Sequence, residues 1–435
     1  MANVDRTTKA DRSVVVPPRS GRFGSKFTTF SAFRVVSYRW FLGSSVTGVL
    51  GFQMQAVALG WLVYILTGSA LDLGIITTTQ AICQTGISPL GGVIADRVER
   101  RTFIIFVRLI TVVAATTLGA LVLLNRITYP ELVIAAGVYG ISFGLNGPAR
   151  QALLAQIVGT DLLINAVSLM SAGMNLMRII GPAVAGFLIG VIGVGGIYVV
   201  LVFLYSAVIL QLLPIPPYPL EQREKPKNVL GDLKAGLSYS YSKPSVFGLL
   251  LFGTVPLFFA MPYVSLLPIF AEQVWHAGAQ GFGILAAAPG VGGLVGALIF
   301  ASFSNYRYKG RLMVVCAASV GVLLTLFALS PNLYVASFFL LLSGGVSVTY
   351  GAIVSSTVQS IIPNEMRGRV MSFYQMSFGI SGLSALPASA LATAIGAPDT
   401  IAICGCCVVI VSVAIYRLRP VIGSTVTISS VTAEA

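Results

Sequence analysis

The side chains best placed to do chemistry in this sequence are polar groups set inside long apolar runs. Ser168, Ser171, Asn175, Arg178 and Pro182 recur at three- and four-residue steps, the spacing that gathers side chains on one helix face. Thr77, Gln80, Gln84 and Ser88 follow the same rule, as do Tyr139, Ser142, Asn146 and Arg150. Gln53, Tyr263, Ser347, Tyr350, Tyr374 and Gln375 are more scattered polar groups in comparable surroundings. Within a membrane such residues are expensive and turn toward the protein interior or a wet cavity. Arg178 is the most informative, because an arginine near mid-bilayer costs about 2.5–3.5 kcal/mol by insertion scales and no Asp or Glu lies at a similar depth. Two readings stay open. Arg178 faces a wet cavity and pairs with an anionic or carbonyl-rich solute, or it is structural and bonds Asn175, Gln84 or helix carbonyls. Tyrosines, Phe258, Phe259, Phe378, Met54, Met174 and Met376 would make an adaptable wall for amphipathic cargo, or simply pack helices.

Other chemistries are poorly served. The chain has one histidine, His276, and no paired intramembrane carboxylates, so a membrane enzyme is not expected and no catalytic residue is assigned. Cys83, Cys316, Cys404, Cys406 and Cys407 lie in apolar runs with no neighbouring His or carboxylate, which argues for free thiols and against disulfides, a metal or another cofactor. No G-x-x-x-x-G-K-[ST] sequence occurs, so work driven by nucleotide hydrolysis is not expected.

The elements that must hold these residues are membrane spans. Of 435 residues 56% are hydrophobic and only 9% charged, too few charges to cover a soluble surface. The net charge of +13 would suggest nucleic acid in a soluble protein; here it reflects basic loops on one side of a bilayer. Charge-free runs, divided at Ser330-Pro331-Asn332 and at Gly193, Gly195 and Gly196, predict twelve transmembrane helices centred near 53, 84, 113, 142, 177, 204, 257, 290, 320, 346, 381 and 407. With both termini cytoplasmic, 24 of the 27 basic residues fall inside, Arg126 falls outside and two lie within spans, as the positive-inside rule requires.

The expected organisation is a basic cytosolic tail (1–39), a six-helix bundle (40–214), a cytoplasmic linker (215–243), a second six-helix bundle (244–417) and a short cytosolic tail (418–435). The linker combines Pro214-Ile215-Pro216-Pro217-Tyr218-Pro219 with a charged stretch from Glu221 to Lys234. The halves look related. Leu73-Gly74-Ile75 and Phe282-Gly283-Ile284 lie 209 residues apart, and Val167-Ser168 with Pro182 resembles Val370-Met371-Ser372 with Pro387 at a shift near 204. Six spans per half make this a parallel repeat about an axis along the membrane normal.

After the second span the sequence reads Gly91-Gly92-Val93-Ile94-Ala95-Asp96-Arg97-Val98-Glu99-Arg100-Arg101. Gly92 would let helix backbones approach closely and Asp96 could cap a helix N-terminus. The segment matches G-x-x-x-D-x-x-x-R-R, and the chain resembles the major facilitator superfamily over nearly its whole length. Asn165-Ala166, the run from Asn175 to Gly186 and Trp61-Leu62-Val63-Tyr64 are similar to its drug- and siderophore-efflux branch. The resemblance implies an all-α fold of two pseudo-symmetric six-helix bundles, and a conformational latch at Gly92, Asp96, Arg97, Arg100 and Arg101. Gly181, Pro182 and Gly186 partly match a glycine-proline motif of antiporters, with Met177 where that motif has glycine.

The expected function is therefore proton-coupled export of small amphipathic compounds by alternating access, from a monomer in the plasma (inner) membrane. Gln53, Gln84, Tyr139, Asn146, Asn175, Arg178, Tyr263, Tyr350 and Gln375 are the expected substrate contacts. The missing mid-membrane carboxylate keeps a facilitator of a small organic anion as an alternative. A receptor or scaffold on the same fold is another.

Overall fold

In the computed structural model the described residues are 28–95, 97–218, 231, 238–302, 309–363, 366, 370, 371, 374, 376 and 379–418. All regular structure among them is helical. After a 3-10 turn, Thr28–Arg34, come α1 (Val36–Thr67), α2 (Ala70–Ala95) and α3 (Arg100–Leu123). Helical hydrogen bonding then runs from Tyr129 to Leu212, with non-helical backbone at Gly159 (φ 67°, ψ −179°) and Gly193 (φ 71°, ψ 176°). These breaks divide it into α4 (129–158), α5 (160–192) and α6 (194–212). The second half contains α7 (Pro244–Val274), α8 (Gly278–Ser302), α9 (Lys309–Ala328) and α10 (Leu333–Ile361). It ends with α11 (Gly379–Ile395) and α12 (Ala397–Leu418). Among the described residues eight helices are long and apolar enough to cross a membrane, the run from Tyr129 to Leu212 counting as one of them.

Packing shows that this run folds back twice. Arg150 bonds Ser44 and Ser45 on α1, while a Cβ at Gly173 would stand 2.8 Å from Val46 one residue further on. At 1.5 Å per residue a straight helix would hold residues 150 and 173 about 35 Å apart. Gly181 against Gln53 and Tyr205 against Gly51 make the same argument for the turn at Gly193. The expected break between α9 and α10 is also present, with the Asn332 side chain accepting from the Val335 N–H at 3.0 Å.

Local chemistry sets the other ends. Gly68 (φ 60°) closes α1 by donating its N–H to the Tyr64 carbonyl. The Glu131 carboxylate accepts from the Thr128 N–H at 3.1 Å at the start of α4. Glu99 caps α3, accepting from the N–H groups of Arg101 and Thr102 at 3.0 and 2.7 Å. α1 starts before Trp40, so Arg39, assigned above to the tail, lies in its first turn. Docking on α5 explains the earlier start. The Tyr38 hydroxyl donates to the Ala166 carbonyl at 2.8 Å, and the Ala32 N–H donates to Asn165 Oδ1 at 3.1 Å. Asn165-Ala166 thus has a structural task at this position.

The five cysteines are free, and no cluster of metal-ligating side chains occurs among the described residues. The apolar core is continuous across both halves at the end bearing the α1–α2 connection, the far end. There Trp61, Leu73 and Ile189 join Phe282, Phe327 and Ala392 in one cluster. Toward the near end, which bears the α2–α3 turn, it divides into two clusters, one built on Tyr38, Phe41 and Ile104 and the other on Phe252, Met313 and Val358.

Candidate functional site

The seam between the halves is formed where α5 meets α8 and α2 meets α11. A Cβ on Gly186 would stand 2.6 Å from the Gly283 Cα, and one on Gly283 would stand 2.8 Å from the Pro182 carbonyl oxygen. Only glycine at both positions lets these backbones touch. Gly74 meets the Ala385 carbonyl in the same way, 3.0 Å from a Cβ there, and Trp61 stacks on Phe282 with centroids 6.2 Å apart. The contact reaches as far as Gly290, where a Cβ would lie 2.9 Å from Ile179 Cγ1 and 3.4 Å from the Arg178 carbonyl oxygen.

That geometry orients the polar stripe of α5. Pro182 and Gly186 belong to the face that touches α8, so Arg178, Asn175, Ser171 and Ser168 continue it toward the near end. All four are exposed, and Arg178 Nη1 donates to Asn175 Oδ1 at 3.4 Å. Leu176, Ile180 and Phe187 are also exposed but lie on a different, apolar face. Arg178 therefore sits exposed where the tight seam ends.

A second polar feature lies within the first half. Residues of α1, α3, α4, α5 and α6 enclose a cavity of about 180 Å³. Tyr139, Ser142, Asn146 and Arg150, the stripe on α4, all line it, with Met170 and Met174 of α5 opposite Arg108 of α3. Both arginines are held by neutral groups. Arg150 Nη2 donates to Ser44 Oγ at 2.8 Å and Ser45 Oγ at 2.6 Å, and its guanidinium lies 5.0 Å from the Phe41 ring centroid. Both serine hydroxyls donate to the Phe41 carbonyl at 2.8 Å, which leaves their oxygens free to accept. With its amide turned so that Oδ1 faces Arg108, Asn146 accepts from Nη2 at 2.9 Å and Nε at 3.0 Å. Tyr205 places its ring 5.8 Å from that guanidinium. Each arginine costs about 2.5–3.5 kcal/mol to hold in a membrane, and neutral partners leave its charge uncompensated.

The second half repeats the cavity without its charge. A smaller one of about 50 Å³ lies among α7, α9, α10 and α12. The 204-residue shift carries Gly147, Phe143 and Asn146 onto its Gly351, Ser347 and Tyr350, and the 209-residue shift carries Arg108 onto Ala317. Arg150 corresponds to the buried Val354.

The expected site residues divide accordingly. Tyr139 and Asn146 line the charged cavity, and Asn175 and Arg178 are exposed on the continuation of the seam face. Gln53 packs against Gly181 on the α1–α5 contact, and Gln84 offers its backbone carbonyl side to Gly144 of α4. Tyr263 is edge-on to Phe327, 6.3 Å between centroids, within the second bundle. Tyr350 lines the smaller cavity and its hydroxyl donates to the Phe252 carbonyl. Gln375 and Asp96 lie outside the described residues. Within the turn, close approach falls at Gly91, whose Cβ would lie 3.0 Å from the Leu145 Cα; at Gly92 the nearest atom is Pro148 Cβ at 4.0 Å. Arg101 caps the C-terminus of α6 in its own half, donating to the Leu212 carbonyl at 3.0 Å and the Leu213 carbonyl at 2.8 Å. Arg100 is buried and Arg97 exposed. Sequence reasoning placed Arg108 within a span and Arg150 in the α4 stripe but left both, and Gln55, out of the site. Their signal was a charge or amide recurring within an apolar helix.

A sequence profile described as "Transmembrane secretion effector" matches residues 27–432. The chain belongs to this transmembrane secretion effector family, within the major facilitator superfamily. It is a multi-pass membrane transporter acting on small molecules. Relatives of the chain include the enterobactin exporter EntS of Escherichia coli O1:K1, 28% identical over 355 residues, which are 80% of this chain and 81% of the relative. EntS of Shigella boydii serotype 18 is 28% identical over 354 residues, with the same coverage. Among solved structures, the nucleoside transporter NupG superposes with a TM-score of 0.69 at 12% identity, covering 88% of this chain and 98% of that one. A bacterial homologue of the human lysosomal transporter Spinster, solved inward-facing and unoccupied, gives 0.68 at 14% identity over 91% and 98% of the two chains. The D-xylose-proton symporter gives 0.68 at 15% identity over 89% and 98%. At these identities the likeness to the solved structures is one of fold.

Proposed function

We propose that this transporter exports small amphipathic compounds by alternating access, driven by protons. The observation that carries the reading is the seam, packed glycine on glycine at the far end and parted along the Ser168–Arg178 stripe toward the near end. Two states of one seam are what alternating access needs. The near end is the cytoplasmic side in this reading, because 24 of the 27 basic residues then lie inside and both termini are cytoplasmic. All twelve rods span the bilayer, and the protein works as a monomer with its crevice open to the cytosol in the state described. The turn from Gly92 through Asp96, Arg97 and Arg100 to Arg101 is the latch that closes that side, while Gly181, Pro182 and Gly186 form the part of α5 on which closure pivots. Arg178 and Asn175 meet the cargo at the head of the crevice, with Gln53, Gln84, Tyr263, Tyr350 and Gln375 contributing to its walls.

Reconstituted protein tests this. Enterobactin and ethidium serve as probes, the first because the relatives are exporters of it. An imposed proton gradient should raise flux severalfold, and Asp96→Asn at normal abundance should abolish most of it. Absence of protein-dependent flux for any amphipathic probe would leave a receptor or scaffold. A facilitator is the second reading, favoured by one observation. Among the described residues Asp72, Glu99, Glu131, Asp161, Glu272 and Asp399 all sit at helix ends, so none is placed as a mid-membrane proton carrier. Equal flux with and without the gradient would decide for it.

A further inference from the structure

We infer that the cavity inside the first half is a binding site for a compact anionic oxygen group, such as the carboxylate or phenolate of the transported compound. The inference deepens the transporter reading by naming a chemical class of cargo, and it rests on groups that the helix packing leaves unused. Gln55 is fully buried on the cavity wall, and neither its Oε1 nor its Nε2 has a hydrogen-bond partner. The Tyr139 hydroxyl, on a side chain only 2% exposed, has none either, nor has Nη1 of Arg150. Native proteins rarely leave such atoms unpaired. Here several of them converge on one space, and every partner the structure gives the two arginines is neutral.

Charge and shape agree on the occupant. The two guanidiniums bring two positive charges to one cavity, and no described carboxylate lines it. A carboxylate accepts from two or more donors at once, and guanidinium is the side chain whose planar fork suits it. The free Arg150 Nη1, the Gln55 amide and the Tyr139 hydroxyl supply donors of the kinds required. A cation or a purely apolar solute would leave the donors unpaired and the charges opposed. At about 180 Å³ the cavity takes an acidic ring or head group, not a large molecule, so the rest of the cargo would extend past Gly147, where a Cβ would meet nothing within 4 Å, into open space. The second half, with Ala317 and Val354 at the matching positions, offers no such site, so the anion is held by one bundle while the other moves.

A matched pair of probes tests the inference without requiring transport. Dansylglycine carries a carboxylate and dansylglycinamide does not; binding of each is followed by fluorescence to purified protein in phosphatidylcholine nanodiscs. The acid should bind at least tenfold more tightly than the amide. Arg108→Gln and Arg150→Gln should each weaken the acid at least tenfold and shift the amide less than twofold. Gln55→Leu, which keeps both charges, should weaken the acid by a smaller factor. Each variant is compared with wild type by thermal unfolding, and if either arginine variant fails to fold, Tyr139→Phe and Gln55→Leu carry the test. Equal binding of acid and amide, no saturable binding of the acid, or unchanged acid affinity in the folded variants would overturn the site. Loss of acid binding when phosphatidylglycerol enters the discs would assign the arginines to a lipid headgroup and also overturn it. Acid binding without flux would retain the site and sink the transporter mechanism, whereas flux of the amide alone would do the reverse.

Discussion

Arg150 is held by two serine oxygens whose protons point back to the Phe41 carbonyl, so its contacts are set by α1 before any solute arrives. Tyr139 is the opposite case, a buried ring whose hydroxyl nothing in the protein satisfies. An unpaired buried hydroxyl carries a desolvation cost of about 1–3 kcal/mol, so deleting it should not destabilise the fold. Tyr350 makes the contrast, because its hydroxyl donates to the Phe252 carbonyl. Removing that bond leaves a buried acceptor orphaned and should cost about 1 kcal/mol. Thermal unfolding of Tyr139→Phe and Tyr350→Phe in the same detergent checks this. The midpoint of the first should equal or exceed wild type and that of the second should fall. The reverse order would mean that the Tyr139 hydroxyl is structural, and would remove one donor from the anion site.

At the scale of elements, the two long turns depend on backbone that only glycine tolerates. Gly159 and Gly193 combine φ near +70° with extended ψ, a region that costs other residues about 1–3 kcal/mol. Gly193→Ala should lower stability by that amount, whereas Gly86→Ala, in a helix with nothing within 4 Å of a Cβ, should be neutral or gain up to about 1 kcal/mol. Denaturation of both variants in one detergent gives the comparison, and equal effects would contradict the helix-breaking role of Gly193. These elements were largely legible beforehand. Apart from α11, whose described part (Gly379–Ile395) lies mostly beyond the expected centre near 381, apolar runs predicted rods centred within a few residues of those observed, because a bilayer demands length and charge exclusion together. The cluster of Gly193, Gly195 and Gly196 marked one turn, but Gly159 stands alone in Ile157-Val158-Gly159-Thr160 and resembles an ordinary helical glycine. The start of α1 was missed because Tyr38 and Ala166 meet across 128 residues of sequence, a contact that hydropathy does not register. Glu99, which caps α3, was not singled out, because the turn holds two acids and spacing alone does not say which of them caps that helix.

The molecule as a whole is asymmetric in a way that periodicity could not show. A three-to-four residue stripe identifies a polar face, yet it does not say whether that face looks into one bundle or into the gap between two. Tyr139, Ser142, Asn146 and Arg150 turned inward on α4, whereas Ser168, Ser171, Asn175 and Arg178 turned toward the other half on α5. Arg108, a single charge with no stripe around it, gave no face at all. What sets the seam is backbone contact at Gly186 and Gly283, where the apolar core runs unbroken from half to half. A larger side chain there must force α5 from α8, and overpacking of this kind costs about 1–3 kcal/mol. The cost falls only on the state with the far end closed, so it should shift a two-state equilibrium by about 5- to 150-fold. Spin labels report this on a background with the five native cysteines replaced. Labels at Asn125 and Leu329 span the far end, and labels at Thr102 and Arg311 span the near end. In Gly186→Val the first distance should lengthen and the second shorten, and Gly283→Val should act in the same direction. If Gly186→Val left both distances unchanged while the protein stayed folded, the far-end seam would be fixed packing and the halves would have to move about some other contact.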